Sequence, residues 1–581
     1  MIMKVSDYIA NYLYDRGIKV VFGYQGGMVT HIIDSIGQHS KLEYIQCYHE
    51  QTASIAAEGY SLETGNIGCA ISSSGPGVTN MMTGIADAYF DSIPVLYISG
   101  QVNTYEYKYD KPIRQQGFQE MEVAELVKPI TKYSTMVDKE ENIPYELEKA
   151  ISIALSGRKG PVLLDIPLNV QRAQINPEKC KHFVAEEGSL VCPDLIEVKT
   201  LLSKAKRPML LLGAGALQNG APELIEDFLE RYPFGVVTSL RGRGSLNESY
   251  RYYMGMVGSY GNRCANMSIS KADLLIVLGS RLDTRQTGAR LDAFLPNAHI
   301  VHVNDDINEL NCHRLGNRVK VNCYVRDFLY TILKEPVSCA NLEQWHKFLA
   351  VIRGKYNQEQ EIERLVDNKS PYRFIQALNK ITQENDILVS DIGQNQMWTA
   401  QTAKLKKGMK YITSGGLAPM GFSMPAAIGI SYAAPQKTVY AICGDGAFHM
   451  SSQAVGVIAQ HKLPIKIIIM NNDCLGMINQ FQRLYFDSRF YGTHPTCGYQ
   501  NPCYEDFAKA YGVQYFKLTE ADLVNESLLK QIAETRTCVV ECIITGFTSV
   551  CPKLEYDKPI SKPMPMLDEE EFNKIMSSYN V

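Results

Sequence analysis

The sequence predicts an α/β protein built from three doubly wound parallel-sheet domains. Three observations carry that prediction. Short apolar runs of strand length alternate with longer amphipathic stretches along most of the 581 residues. Glycine-rich turns follow many of these runs, as they do where a strand gives way to a crossover helix. Two polar, irregular stretches, Arg172–Pro193 and Lys334–Gln344, cut the chain into pieces of about 170, 145 and 190 residues, each an ordinary domain size.

The runs are continuous rather than alternating, the pattern of strands buried on both faces. In the first piece they are Val20–Phe22, Gly68–Ser72, Val95–Ser99 and Val162–Asp165. The second holds Met209–Leu212, Leu274–Leu278 and His299–Val303. The third holds Ile387–Val389, Thr438–Ile442, Ile465–Met470 and Val539–Ile544. Domain limits are placed at 1–172, 194–336 and 365–551, followed by a tail, 552–581. The stretch from Cys551 onward is rich in proline and acids and is expected to wrap the surface.

Composition narrows the class. At 45% hydrophobic and 21% charged residues, the chain is neither disordered nor collagen-like nor a coiled coil. No apolar run approaches the ~18 residues that cross a bilayer, so no membrane span is expected. The first residues lack a signal-peptide core, because Asp7 and Asp15 interrupt them. A net charge of −4 gives no basic field for nucleic acid. The 15 cysteines are odd in number, dispersed and never CxxC, which suits reduced thiols in a cytoplasm.

Gly444-Asp445-Gly446 lies between the apolar run TVYAIC and a helix-like stretch, AFHMSSQAVGVIAQHK. Glycines allow close backbone approach, and a helix start offers free N–H groups to an anion. Asp445 would repel a phosphate unless a cation lies between them, which suggests Mg²⁺. After 24 residues comes Asn471-Asn472, at the end of the run IKIIIM. Ligands of open α/β sheets gather at the C-terminal ends of strands, so Asp445 and Asn472 are candidate ligands of one ion. His49-Glu50 ends an apolar segment and opens the helix-like QTASIAAEGYSLETG. On residue chemistry alone, Glu50 reads as a carboxylate favouring a helix start; a partly desolvated acid that exchanges its proton is the other reading. Ser72–Gly77 and Gly213-Ala214-Gly215 are turns that bring backbone near a ligand or simply reverse the chain.

Taken together, these residues resemble the thiamine-diphosphate enzymes of the acetolactate synthase type. The matching pieces run in family order: YxGG ending at Gly26-Gly27, His49–Gln51, Ser73–Asn80, Asp91–Val102, Gly117–Glu120 and Gly160–Gln171. They continue with Gly255–Gly258, Arg285–Gly288, Thr413–Gly429 and GDG…NN. The resemblance implies pyrimidine-binding, central and diphosphate-binding domains, in that order. It implies that Glu50 contacts the pyrimidine N1′ and promotes the imino tautomer, and that Phe118 and Gln119 stand at the reacting centre. It places Gly26, Gly27, Thr79, Gln394, Asn395, Gly416, Met420, Gly444, Gly446, Ala447, Gly476 and Met477 on the cofactor, with Met420 as the wedge that bends it. Asp445, Asn472 and the carbonyl of Cys474 match the Mg²⁺ ligands. Met256 and Arg285 match contacts of FAD, which some members carry. Because Glu50 would serve a cofactor held by a second copy, a homodimer or homotetramer is implied.

Some positions depart from the pattern. Leu168 stands where synthases usually have lysine, Phe481 where they have tryptophan, and Met28 replaces a small residue. Asn304 and Cys323-Tyr324 stand where flavin-binding relatives have acids, so FAD is left open. The expected activity is decarboxylation of pyruvate and transfer of its acetyl unit to a second ketone, either pyruvate or a nucleotide-linked keto sugar of surface-sugar synthesis. The alternatives are a simple 2-oxo acid decarboxylase releasing an aldehyde and a non-catalytic subunit of the same fold. The absence of a His-His pair near residues 110–120 weighs against the former, and intact Glu50, Asp445 and Asn472 against the latter.

Overall fold

A computed structural model describes residues 2–185, 190–218 and 220–577. The architecture is the expected one: three sheets, each of six parallel strands with helices on both faces. The first sheet runs, edge to edge, Glu43–Gln46, Val20–Gly23, Gly68–Ser72, Val95–Gln101, Val162–Pro167 and Tyr133–Met136. The third repeats that topology with Lys410–Ile412, Ile387–Ser390, Val439–Gly444, Ile465–Asn471, Cys538–Ile543 and Gln514–Leu518. The middle sheet differs: Tyr253–Met256, Gly235–Thr238, Pro208–Leu212, Leu274–Leu278, His299–Asn304 and Val319–Asn322. Its order is the one found in dinucleotide-binding folds.

Every strand expected from an apolar run is present, and seven more complete the sheets. The segment from Arg172 is not wholly irregular. Gln174–Ile175 pairs antiparallel with Met3–Lys4, closing the first unit on its own N-terminus; the loop expected there also takes in residues 186–189, which lie outside the described residues. The helix expected after Gly446 is broken into Asp445–Ser451 and Ala454–Gln460. All fifteen cysteines are free thiols, and no helix among the described residues is long and apolar enough to cross a membrane.

The first and third units meet along two helices, Glu50–Thr64 and Ser423–Ala433. Their backbones touch because both are glycine at the crossing. A Cβ on Gly59 would lie 2.1 Å from the Ala426 carbonyl oxygen, and one on Gly429 would lie 1.8 Å from that of Ala56. Backbone cannot move aside as a side-chain tip can. Gly59→Val is therefore expected to destabilise the folded chain by at least about 1–3 kcal/mol, seen as a lower midpoint of urea unfolding.

The tail does wrap the molecule, and it also turns inward. Its last helix, Glu569–Ser577, sets Phe572, Ile575 and Met576 into the core around Leu349 and Ile352. Arg263, 1% exposed, is ion-paired to Glu361 at 2.7 Å. The same guanidinium donates to the carbonyls of Pro563 at 3.1 Å and Pro565 at 2.6 Å. A buried cation thus finds a carboxylate and two backbone acceptors, which burial of its charge requires.

Candidate active site

In the third sheet, Ile387–Ser390 and Val439–Gly444 are neighbours whose following segments leave in opposite directions. A cavity of about 670 Å³ opens at that point, where such sheets hold ligands. The first segment brings Gly393, Gln394 and Asn395; the second brings Gly444, Asp445, Gly446 and Ala447; the next strand end brings Asn472, Cys474, Gly476 and Met477. Met420 and Arg285 lie on the same wall. Twelve of the residues named from the sequence are thereby gathered: Arg285, Gln394, Asn395, Met420, Gly444, Asp445, Gly446, Ala447, Asn472, Cys474, Gly476 and Met477.

Asp445 is 2% exposed. Its carboxylate accepts from the N–H groups of Gly446 and Cys474 and from the Asn501 amide, each at 3.0 Å. Burial nevertheless pushes its carboxyl up to about 6, against those bonds. No cationic side chain pairs with it among the described residues, so a buried negative charge waits for a counter-ion. Asn472 donates its amide to Thr548 Oγ1 at 2.8 Å and Gln394 Oε1 at 3.3 Å. That fixes which end of the amide is the oxygen and leaves Oδ1 without a donor among the described residues. Helices begin at Gln394 and Gly476 in the cavity wall, where first-turn N–H groups lack intrahelical partners. A Cβ at Gly476 would lie 2.1 Å from Gln394 Oε1, and one at Gly446 2.4 Å from Leu475 Cδ2. Both glycines keep space open.

Asp391, which no motif marked, fixes the segment that carries Met420. Fully buried, it accepts from Ile392 N at 2.8 Å, Gly421 N at 2.9 Å and Ser423 N at 2.8 Å. The methyl of Met420 comes within 3.2 Å of a Cβ built on Gly446.

A second cluster forms at the C-terminal edge of the first sheet. Glu50 opens its helix behind His49, whose ring accepts from Gln51 N at 3.1 Å. Glu50 is 9% exposed, and its Oε2 accepts from Asn80 at 2.9 Å. A Cβ on Gly26 would meet Ser73, one on Gly75 would meet Gln119, and one on Gly77 would come to 3.5 Å from Glu50 Oε1. Gln119 takes a positive φ of 62°, in a loop pinned by Glu120, which accepts from the N–H groups of Lys108, Gln116 and Gly117. Phe118 beside it is 79% exposed, and Thr79 is exposed one helical turn below Pro76.

Within one chain, Glu50, Gly26, Gly27, Thr79, Phe118 and Gln119 do not line the cavity of the third unit. Nor do Gly416 and Met256. Gly416 donates its N–H to Asp91 at 2.8 Å, at a seam where Asp91 also pairs with Arg241 of the middle unit. Met256 is buried in the core shared with the third unit. No motif marked Asn501, Thr548, Tyr260 or the tail residues Lys553–Tyr556; Tyr260 and the four tail residues line the cavity.

Comparison with known families matches all three units. The N-terminal TPP binding domain of the thiamine pyrophosphate enzymes matches residues 3–126, their central domain 195–332 and their C-terminal TPP binding domain 391–542. The acetolactate synthase isozyme 2 large subunit of Escherichia coli (strain K12) is 34% identical over 90% of this chain and 93% of its own length. This chain belongs to the thiamine pyrophosphate enzymes. The acetolactate synthase large subunit of Lactococcus lactis is 32% identical over 94% of both chains. A probable acetolactate synthase large subunit of Methanocaldococcus jannaschii is 33% identical over 93% of this chain and 92% of its own. The chain is accordingly an enzyme of thiamine-diphosphate-dependent carbon–carbon bond formation.

The residues present fit the family's cofactor. The unpaired Asp445 carboxylate, the uncommitted Asn472 oxygen and the Cys474 backbone offer hard oxygen ligands, and no trio of His, Cys, Asp or Glu competes among the described residues. That is a set which Mg²⁺ completes with phosphate oxygens and water. Asn395 Oδ1 is buried without a partner among the described residues, and the N–H groups at Gln394 and Gly476 suit a diphosphate.

Of the two residues matched to FAD contacts, Arg285 lines the cavity and Met256 does not. Arg285 is open to the cavity, but the opposite end of the middle sheet is committed. Asn304 gives its amide to Ser280 O and takes Asp306 N at 2.9 Å. Asp306 and Glu309 are tied to Arg158 of the first unit at 3.1 and 2.6 Å. Gly213 lies so close to Gly279 that a Cβ would sit 2.3 Å from its carbonyl oxygen. Asp305, the residue after that strand, keeps a carboxylate there that accepts from the Gln218 amide at 3.3 Å.

Proposed function

We propose that this enzyme decarboxylates pyruvate and transfers the acetyl unit to a second ketone other than pyruvate, of the kind found in nucleotide-linked keto sugars. Residues 1–172 would hold the pyrimidine, 365–551 the diphosphate and Mg²⁺, and 194–336 join them. When bound, thiamine diphosphate supplies a carbon nucleophile and an electron sink for the 2-oxo acid. Glu50 holds a proton at the pyrimidine nitrogen. Asp445, Asn472 and the Cys474 carbonyl would hold Mg²⁺, which would neutralise the diphosphate, and Met420 would support the cofactor from the cavity wall. The two clusters lie apart in one chain, so the working unit is a homodimer or homotetramer in which Glu50 of one copy meets the cavity of another, in a cytoplasm.

The observation that carries the reading is the contrast between an intact donor side and an altered acceptor side. Leu168 opens a short helix beside Gln171, whose amide donates to Met28 O at 2.7 Å. An apolar residue there offers no cation to the carboxylate of a second pyruvate. Isotope-labelled pyruvate with a panel of ketones, and product analysis by mass spectrometry, tests this. Cross-ligated product should exceed acetolactate, and Leu168→Lys should shift the ratio toward acetolactate. Efficient acetolactate formation by the unmodified enzyme, with no preference for an added neutral ketone, overturns it.

A further inference from the structure

The direction in which Asn472 points is set by the backbone that joins the last strand to the tail. Gln394 donates its amide to the Thr548 carbonyl at 3.1 Å and to Gln480 Oε1 at 3.1 Å. A carbonyl only accepts, so the nitrogen end of Gln394 faces it and Oε1 points the other way. Gln480 is fixed in the same manner, because its Oε1 also accepts the Val550 N–H at 3.3 Å. Gln394 Oε1 lies 2.7 Å from the Thr548 hydroxyl. That oxygen can only accept, so Thr548 commits its single proton there. Thr548 Oγ1 is left with lone pairs alone, and the Asn472 amide meets it at 2.8 Å. Asn472 therefore donates, and its own oxygen is turned away from the relay. Thr548, Gln394 and Gln480 are 3%, 4% and 7% exposed. A reversed Asn472 would gather three oxygens around one proton, a costly arrangement away from water.

We propose that Thr548 is a positioning residue for the metal, its hydroxyl holding Asn472 so that Oδ1, and not the NH₂ group, is presented to Mg²⁺. This role rests on the metal reading proposed above and adds a residue that acts through one of the ligands. Mg²⁺ takes oxygen ligands in a strict geometry, and the NH₂ end of an asparagine has no lone pair to give it. An Asn472 free to turn about its last bond would offer the wrong end part of the time. Thr548 itself is not among the residues that line the cavity. The same relay ties the metal ligand to the helix Gly476–Tyr485, which carries Gln480, and to the start of the tail.

The full-length protein is titrated by calorimetry with thiamine diphosphate over a series of Mg²⁺ concentrations, and the Mg²⁺ concentration that half-saturates binding is measured. Thr548→Val keeps the side chain's shape and removes the hydroxyl. It should raise that concentration about 10–100-fold, the usual cost of losing an outer partner of a metal ligand. Thr548→Ser should restore most of the affinity. Thr548→Ala, which also lacks the hydroxyl, carries the same expectation where the valine variant does not fold. Asn472→Asp presents an oxygen whichever way it turns. In that background Thr548→Val should therefore cost far less, whereas a merely structural role would cost the same in both. An unchanged Mg²⁺ requirement in the valine and alanine variants, failure of serine to restore it, or an equal cost in the Asn472→Asp background overturns the proposal. Thiamine diphosphate binding by the unmodified protein without any Mg²⁺ dependence sinks the metal reading itself. Mg²⁺-dependent binding that Thr548→Val leaves unchanged sinks only the role of Thr548.

Discussion

Glu50→Gln is expected to slow C2-proton exchange of bound thiamine diphosphate by roughly 10²–10⁴. The substitution keeps the shape of the site. Asn80 can still donate to the remaining side-chain oxygen, as it does to Glu50 Oε2 at 2.9 Å, and His49 still caps the helix. What disappears is the exchangeable proton at a nearly buried position, since an amide cannot serve as the acid. Exchange is read by NMR after acid quench, with circular dichroism confirming the fold. Exchange at the unmodified rate would remove Glu50 from the mechanism.

Asp445→Ala is expected to weaken Mg²⁺-dependent thiamine diphosphate binding on the order of 100-fold or more, since even outer partners of metal ligands cost 10–100-fold. Asp445→Asn separates charge from shape. It keeps an oxygen for the N–H groups of Gly446 and Cys474 but cannot neutralise the cation. Calorimetry with and without chelator gives the outcome. If the asparagine variant binds as tightly as the unmodified protein, the metal is elsewhere.

The sheet cores were legible because many of their strands are uninterrupted apolar runs, buried along their whole length: Leu274–Leu278 and Pro208–Leu212 are examples. The missed strands are mostly edges. Glu43–Gln46, Tyr133–Met136 and Gln514–Leu518 expose one face and carry polar residues, so they alternate weakly and pass for loops. Gly235–Thr238 is buried but short and begins with glycine. The metal end of the site could be read from GDG and its following asparagine, because those residues are close in sequence and sit on adjacent strand ends. The tail wall could not. Leu554 donates its N–H to Ser259 O, about 300 residues earlier in the chain, and no local spacing encodes that meeting. Asp391 was hidden for another reason. Its work is to accept three backbone N–H groups, and that role leaves no residue pattern.

The anchoring of the tail by Arg263 orders events during synthesis. Arg263 and Glu361 are 98 residues apart, and Arg263 and Pro563 are 300 apart. At a translation rate of about 5–20 residues per second, the carboxylate is made roughly 5–20 s after the arginine and the proline carbonyls roughly 15–60 s after it. The nascent middle unit can neutralise its guanidinium early yet must hold two donors ready for carbonyls made some 300 residues later. The cavity wall at Lys553–Tyr556 can therefore close only after all three sheets have been synthesised.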